Sequence, residues 1–195
     1  SEWLEHPGSV GRASRGVIHI VDDDGREVPA GTEGMVYFEN PTATTTYRGD
    51  VEQTAAITHP EGWQTLGDIG WVDDDGYLFL TDRWSYKIVT GGVNVFPREV
   101  EDVLLLHPDV LDAAVIGIPH DEMGEEIRAV VQTVDPRRAG PLLASELVEH
   151  CRARLARHKC PRAVDFVDAL PRQDNGKLYK RLIRDGYWAG RERKI

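Results

Sequence analysis

The sequence predicts an α+β protein in two parts. A small β-rich subdomain spans residues 1–82, and a compact α+β domain, a small sheet packed by helices, spans residues 83–195. Three observations predict it. Before residue 82 the apolar stretches are short and are joined twice by the same segment, Asp22-Asp23-Asp24-Gly25 and Asp73-Asp74-Asp75-Gly76; Asp-Gly between apolar runs is a hairpin signature. After residue 82, apolar strands alternate with stretches of helical periodicity, the pattern of a sheet that carries helices. The charge also reverses at Asp82-Arg83: residues 1–82 hold 16 acidic and 4 basic side chains, net −12, whereas residues 83–195 hold 17 acidic and 19 basic, net +2.

Each element follows from local chemistry. Residues 1–15 are polar and Gly-rich and read as a loop. Val17–Val21 and Gly34–Glu39 are strands; the first runs into the first DDDG turn, and Pro29, Gly31 and Gly34 prepare the second. Asn40-Pro41 breaks that strand, residues 42–47 read as a Thr-rich loop, and residues 50–57 have helix composition with Asp50 as N-cap. Residues 69–72 and 77–81 flank the second DDDG turn. Neither acidic segment has the alternating ligands and distant Glu of an EF-hand loop, so both read as turns rather than calcium sites.

Beyond the break, residues 87–90 form a strand, and Gly91-Gly92 allows positive φ or close approach of a ligand. Pro97 fits the N1 position of a helix over 97–107, where its missing N–H costs nothing. Glu99, Glu101 and Asp102 suit the dipole of that helix, and Val100, Val103 and Leu104 give it an apolar face. Residues 110–118 are a long apolar strand ended by Pro119, and residues 127–134 are another. A helix over 145–158 aligns Leu147, Cys151 and Leu155 and stops at Pro161; residues 163–167 are a strand, 177–184 a short basic helix with Lys180, Arg181 and Arg184 in solvent, and 190–195 a frayed tail.

Composition excludes several classes. Hydrophobic residues make up 41% and charged residues 29%, as in an ordinary globular protein. No run approaches the roughly 18 apolar residues of a membrane span, and no secretory leader is visible, so a cytoplasmic location is expected. The chain opens at Ser1 rather than Met, which fits a piece cut from something longer. Cys151 and Cys160 lack zinc-site spacing and read as reduced thiols, so no metal ligands are assigned. From Cys151 onward there are 13 basic and 5 acidic residues, net +8. That tail suits a polyanion, yet no helix-turn-helix, zinc finger or aromatic RNA-binding motif accompanies it, so nucleic acid is not expected as a partner.

Three motifs remain: Gly62-Trp63 with Gly67-Asp68; Asp82-Arg83 followed by Gly91-Gly92-Val93-Asn94-Val95 and Pro97-Arg98-Glu99-Val100-Glu101; and Leu170-Pro171-Arg172-Gln173-Asp174-Asn175-Gly176-Lys177. In this order they resemble the ribose-binding, hinge and Gly-rich, and C-terminal lysine motifs of the AMP-forming acyl-CoA synthetases, within the adenylate-forming ligase superfamily. The resemblance covers nearly the whole chain. It implies activation of a carboxylic acid, here a fatty acid, by ATP as acyl-AMP, then transfer to coenzyme A, with Mg²⁺ accompanying ATP. Two polyphosphate substrates would also account for the basic tail.

The resemblance assigns roles residue by residue. Asp68 would accept the two ribose hydroxyls of the adenylate; alone it reads equally as a turn-capping carboxylate. Arg83 would contact the nucleotide near its ribose and phosphate, with a salt bridge to a carboxylate such as Asp82 as the plain alternative. Lys177 would supply the charge needed for adenylation, as against a solvated surface lysine. Gly91 and Gly92 would line the passage for the pantetheine arm of coenzyme A, or else form an ordinary tight turn. Asp82 and Ser85 would form the hinge, Ser85 standing where the family usually has Asp or Lys. Lys87, at a usually apolar position, and Leu66, in place of a common Thr, are further departures. No Ser/Thr/Gly-rich phosphate loop and no Tyr-Gly-x-Thr-Glu-like motif occurs. Most of the adenylate site is therefore expected in an upstream N-terminal domain of the same chain, and residues 1–195 alone are expected to be inactive. The alternatives are an acyl-AMP ligase or adenylation domain that does not use coenzyme A, and a non-catalytic binding module that keeps the fold.

Overall fold

A computed structural model of the chain describes residues 2–39, 51–173 and 176–190. The expectations for residues 40–50, Asp50 as N-cap among them, and for the tail beyond residue 190 lie outside these. The chain divides into two compact units, Ser1–Ser85 and Tyr86–Ile195. The division follows Ser85 rather than Asp82 because the strand Tyr77–Arg83 runs on through Arg83, with Asp82 paired to Ile69 and Arg83 to Asp68.

The first unit is an antiparallel sheet. Its strands are β1 (Gly11–Arg12), β2 (Val17–Val21), β3 (Gly34–Glu39), β4 (Gln64–Val72) and β5 (Tyr77–Arg83), in the order β1-β5-β4-β3-β2. Ile20, Val36 and Leu78 form its core. Short helices α1 (Glu2–Glu5) and α2 (Val51–Ala56) flank the strands in sequence. Both DDDG segments close as hairpin turns by the same means. The Asp22 carboxylate accepts from the N–H groups of Asp24 and Arg26, the Asp73 carboxylate from those of Asp75 and Tyr77, and Gly25 and Gly76 take positive φ.

Residues 1–15 are not simply a loop. The Val10 N–H and the Ser9 hydroxyl both donate to the Leu78 carbonyl, which seats Gly11–Arg12 on the edge of β5. Backbone bonding without an apolar pattern makes such a short strand silent in sequence. β4 begins well before residue 69, because the strand crosses an irregularity. Between the pairs Tyr37–Thr65 and Met35–Ile69 it carries extra residues, a bulge at residues 66–68 centred on Gly67 at φ 78°. The Thr65 hydroxyl accepts from the Gly67 N–H at 3.0 Å and donates to the Val36 carbonyl at 2.7 Å, fixing the bulge.

The second unit has helices on both faces of a mixed sheet. Its strands are β6 (Ile88–Thr90), β7 (Val93–Val95), β8 (Val110–His120), β9 (Gly124–Thr133) and β10 (Ala163–Phe166); its helices are α3 (Pro97–Leu105), α4 (Pro141–Arg152) and α5 (Lys180–Trp188). β9 pairs antiparallel with β8 and, at Gly124, with β6, and parallel with β10. Ala113 and Val115 of β8 face one core with Val100, Leu104, Leu143 and Leu147 from α3 and α4. Ala114, Ile116 and Ile118 face the other, where Ile183 and Tyr187 of α5 pack. Burial on both faces is why these strands read as continuous apolar runs rather than alternating ones.

Three boundaries move. Pro119 does not end β8: it pairs with Glu125 within the ladder, as Pro can on an edge strand where no ladder N–H is demanded. α4 starts at Pro141, with Pro again near the helix start and Leu143 already buried, and stops at Arg152; residues beyond it form a short 3₁₀ turn at Arg157–Lys159. α5 starts at Lys180 rather than Lys177, and Lys180 is buried, 8% exposed, instead of standing in solvent. Lys177 precedes the helix.

Cys151 and Cys160 are unbridged and buried, and burial pushes the Cys151 thiol up to about 12, so it stays protonated. His150 of α4 donates from Nε2 to the Val103 carbonyl at 2.9 Å. Burial holds its imidazole below the usual 6.5, so the neutral form is favoured in the folded chain. The unfolded chain then binds more protons below that value, and the contribution of His150, complete above 6.5, is lost as pH falls through the depressed folded value. Urea unfolding between about pH 7.5 and 5.5 should show a steeper loss of stability in the parent chain than in His150→Gln, whose amide keeps the bond without titrating.

Candidate functional site

Asp68 and Arg83 face each other directly across the β4–β5 ladder. The bulge at Gly67 turns Asp68 out of the regular pleat, and the next irregularity, at Ile69/Gly70, sets Arg83 opposite it. Arg83 Nε lies 3.0 Å from Asp68 Oδ1; the carboxylate side chain is 17% exposed and the guanidinium 47%. The salt bridge of Arg83 therefore goes to Asp68, while the Asp82 carboxylate accepts the backbone N–H of Arg83 at 2.7 Å. A half-shielded acceptor beside a planar donor fork is an arrangement that can grip vicinal hydroxyls and a phosphate together. Trp63 of the Gly62-Trp63 motif has a packing role: its ring stacks on His19 at 3.6 Å and on His59 at 4.7 Å. Ser85 sits in the 3₁₀ turn Trp84–Tyr86.

In the second unit, Gly91 and Gly92 join β6 to β7 with φ of 57° and 80°, the paired positive values of a tight hairpin turn. The turn is anchored to the loop before β9: the Gly91 N–H donates to the Met123 carbonyl at 3.0 Å. A side chain at 91 would meet Met123 at 3.1 Å. Beside this turn opens a cavity of about 680 Å³, whose lining includes Thr90, Met123, Arg152, Arg157, His158 and Arg162. Arg162 is held over it by contacts to the His120 imidazole at 3.3 Å and to Met123 Sδ. The cavity is basic because α4 ends, the 3₁₀ turn passes and β10 begins at one place, each bringing a cation.

Lys177 projects from a clamped turn. Gln173 and Gly176 close the turn through the bonds Gln173 N–H to Lys177 O at 2.9 Å and Gly176 N–H to Gln173 O at 2.8 Å. Arg172 bridges to Leu178, donates twice to Asp112 Oδ2 of β8 at 2.9 and 2.6 Å, and donates to the Gly176 carbonyl. Lys177 itself is exposed. Asp174 and Asn175 of the motif lie outside the described residues.

Asp68, Asp82 and Arg83 thus share one ladder of the first unit, whereas Gly91, Gly92 and Lys177 belong to the second. Sequence reasoning missed the cations of the cavity, because they are spread over residues 152–162 and only the fold gathers them. It also missed Arg172 and Asp112, although Arg172 stood inside the lysine motif. His107, Asp109 and Glu146 come close enough to hold a cation, but Arg138 already lies 2.8 Å from Asp109 and 3.4 Å from Glu146 and supplies the positive charge. No helix among the described residues is long and apolar enough to cross a membrane.

Residues 99–177, within the second unit, match the AMP-binding enzyme C-terminal domain. Those residues belong to that domain family. Several similar proteins are named as ligases of an acid to coenzyme A or to acyl-carrier protein. The chain is 37% identical over 176 residues to the fatty acid–[acyl-carrier-protein] ligase ScoC of Streptomyces coeruleorubidus, covering 90% of this chain and 33% of that protein. Against the long-chain-fatty-acid–CoA ligase FadD13 of Mycobacterium tuberculosis it is 37% identical over 186 residues, covering 95% and 36%. Among solved structures, ATP-bound MatB from Rhodopseudomonas palustris matches with a TM-score of 0.82 and 33% identity over 94% of this chain and 36% of that one. The chain spans about a third of the length of these relatives.

Proposed function

We propose that the chain is part of an ATP-dependent acyl-CoA synthetase, which activates a carboxylic acid, most simply a fatty acid, as acyl-AMP and then transfers the acyl group to coenzyme A. In the first half-reaction a carboxylate oxygen attacks the α-phosphorus of ATP and pyrophosphate leaves, with Mg²⁺ entering on ATP. Asp68 accepts the ribose hydroxyls, Arg83 faces the nucleotide beside it, and Lys177 meets the charge shared between carboxylate and α-phosphate. In the second, the thiol sulfur attacks the acyl carbon and AMP leaves. The pantetheine arm passes the Gly91-Gly92 turn, and the polyphosphate of coenzyme A lies in the basic cavity next to it.

The observation that carries the reading is the basic cavity adjoining the Gly91-Gly92 turn, since coenzyme A joins a narrow arm to a polyphosphate in that order. Carboxylate-dependent exchange of pyrophosphate into ATP by the full-length protein that carries this chain tests the first half; its absence would point to the non-catalytic module. The similarity to an acyl-carrier-protein ligase favours a second reading, in which a carrier-borne phosphopantetheine takes the same passage.

On this reading Asp82 and Ser85 form the hinge on which the enzyme passes between its two half-reactions. Ser85 lies in the 3₁₀ turn Trp84–Tyr86, and φ in 3₁₀ turns is generally about −50 to −70°, a range that Pro can adopt. Ser85→Pro should therefore fold normally yet hold one setting of the hinge. Pre-steady-state assays should show one half-reaction near the parent rate and the other slowed by roughly tenfold or more. Equal rates in both would remove Ser85 from the hinge.

A further inference from the structure

The sequence places Lys180 among solvated cations, and the structure buries it. Its ammonium lies 2.8 Å from Glu101 Oε1 of α3, with side-chain exposures of 10% and 7% for the pair. The same carboxylate oxygen accepts the backbone N–H of Val115 at 2.7 Å, so α3 satisfies an outward-facing donor of the edge strand β8. The Lys180 ammonium also sits over the ring of Tyr86, 5.0 Å from its centroid. Tyr86 follows Ser85 directly, and Lys180 opens the helix that follows Lys177. Charged residues are rarely buried without a task, because taking both ions out of water costs more than a surface pair would.

We propose that Lys180 is a positioning residue for Lys177, acting through a strut of Glu101, Lys180 and Tyr86. Two ionic anchors bracket the Lys177 turn. Arg172 on Asp112 holds its entry and Lys180 on Glu101 holds its exit, while Tyr179 N–H to Pro171 O at 2.8 Å ties the two sides together. An ammonium at position 177 on a four-carbon stem is useful only if its base is held still, and the exit anchor is the buried one. Because the anchor also packs on Tyr86, it ties the setting of the lysine turn to the residue next to the proposed hinge.

The inference rests on the function proposed above, and the test separates the two. The full-length protein carrying this chain is assayed as parent, Lys180→Met, Lys180→Arg and the double variant Glu101→Gln/Lys180→Met. Acyl-AMP formation from ATP and carboxylate is measured separately from thioester formation from supplied acyl-AMP and coenzyme A. Lys180→Met should slow the first by roughly tenfold or more in kcat, with the KM for ATP and the second half-reaction within about twofold. Lys180→Arg should recover most of the rate. The double variant removes the stranded carboxylate and should recover thermal stability without recovering adenylation. If the double variant recovers the rate as well, or if both half-reactions fall together, Lys180 only holds the fold and the inference is overturned. An unchanged rate in Lys180→Met overturns it too. If the parent itself forms no acyl-AMP, the proposed function fails and this inference fails with it.

Discussion

Replacing Lys177 by Ala in the full-length protein should abolish most adenylation and spare thioester formation. The lysine stands exposed on a turn clamped from both ends, so truncating its side chain leaves the backbone bonds of the turn and those of Arg172 in place. In the proposed reading, what is lost is a charge that meets the α-phosphate and the carboxylate as they join. Loss of one preorganised contact of this kind costs roughly 10²–10³ in rate, about 3–4 kcal/mol of transition-state stabilisation. Thioester formation from supplied acyl-AMP and coenzyme A should change by only a small factor if, as proposed, Lys177 serves the first step. Arg at 177 should restore little, since a planar fork does not replace a compact ammonium. A parallel fall in both half-reactions would make Lys177 a structural residue, and no fall would make it an ordinary surface cation.

The mirror-image result is expected from the cavity. Arg157→Glu combined with Arg162→Glu reverses the charge beside the Gly91-Gly92 turn without entering the apolar cores, since neither residue belongs to them. Charge-assisted bonds of the kind a phosphate accepts from Arg are worth about 1.5–3 kcal/mol each. The KM for coenzyme A should therefore rise by roughly tenfold or more per position, steeply relieved by salt in the parent comparison, while acyl-AMP formation without coenzyme A keeps its rate. An unchanged KM would move the polyphosphate elsewhere. If carrier protein proves to be the thiol substrate and the variant accepts it normally, the second reading replaces the first.

How much of this was legible in the sequence follows from the range of the interactions involved. Hairpins at the two DDDG segments were legible because Asp and Gly act within a few residues of themselves, through side-chain acceptors and positive φ. The helix at Pro97 was legible for the same reason, its start being a local matter. The long strands β8 and β9 showed as apolar runs, yet Pro119 misled because its tolerance depends on β8 being an edge, a tertiary fact. Lys180 misled more seriously. Its neighbours Arg181 and Arg184 are basic, and nothing in the run KLYKR distinguishes a lysine that reaches a buried Glu101 from one that reaches water. Asp68 and Arg83 were legible as motif members, but that they meet across a ladder depended on a two-residue bulge no pattern announces. The basic cavity was visible only as a net charge of +8 from Cys151 onward.

The role proposed for this chain is in an enzyme that makes a thioester through acyl-AMP. It is tested most directly by supplying the full-length protein with ATP, Mg²⁺ and a panel of carboxylic acids, and measuring AMP release with and without coenzyme A. The expected result is multiple-turnover release of AMP and pyrophosphate that depends on both the acid and coenzyme A, with at most a single turnover of acyl-AMP retained on the enzyme when the thiol is withheld. AMP release that ignores coenzyme A, or none with any acid, would contradict it.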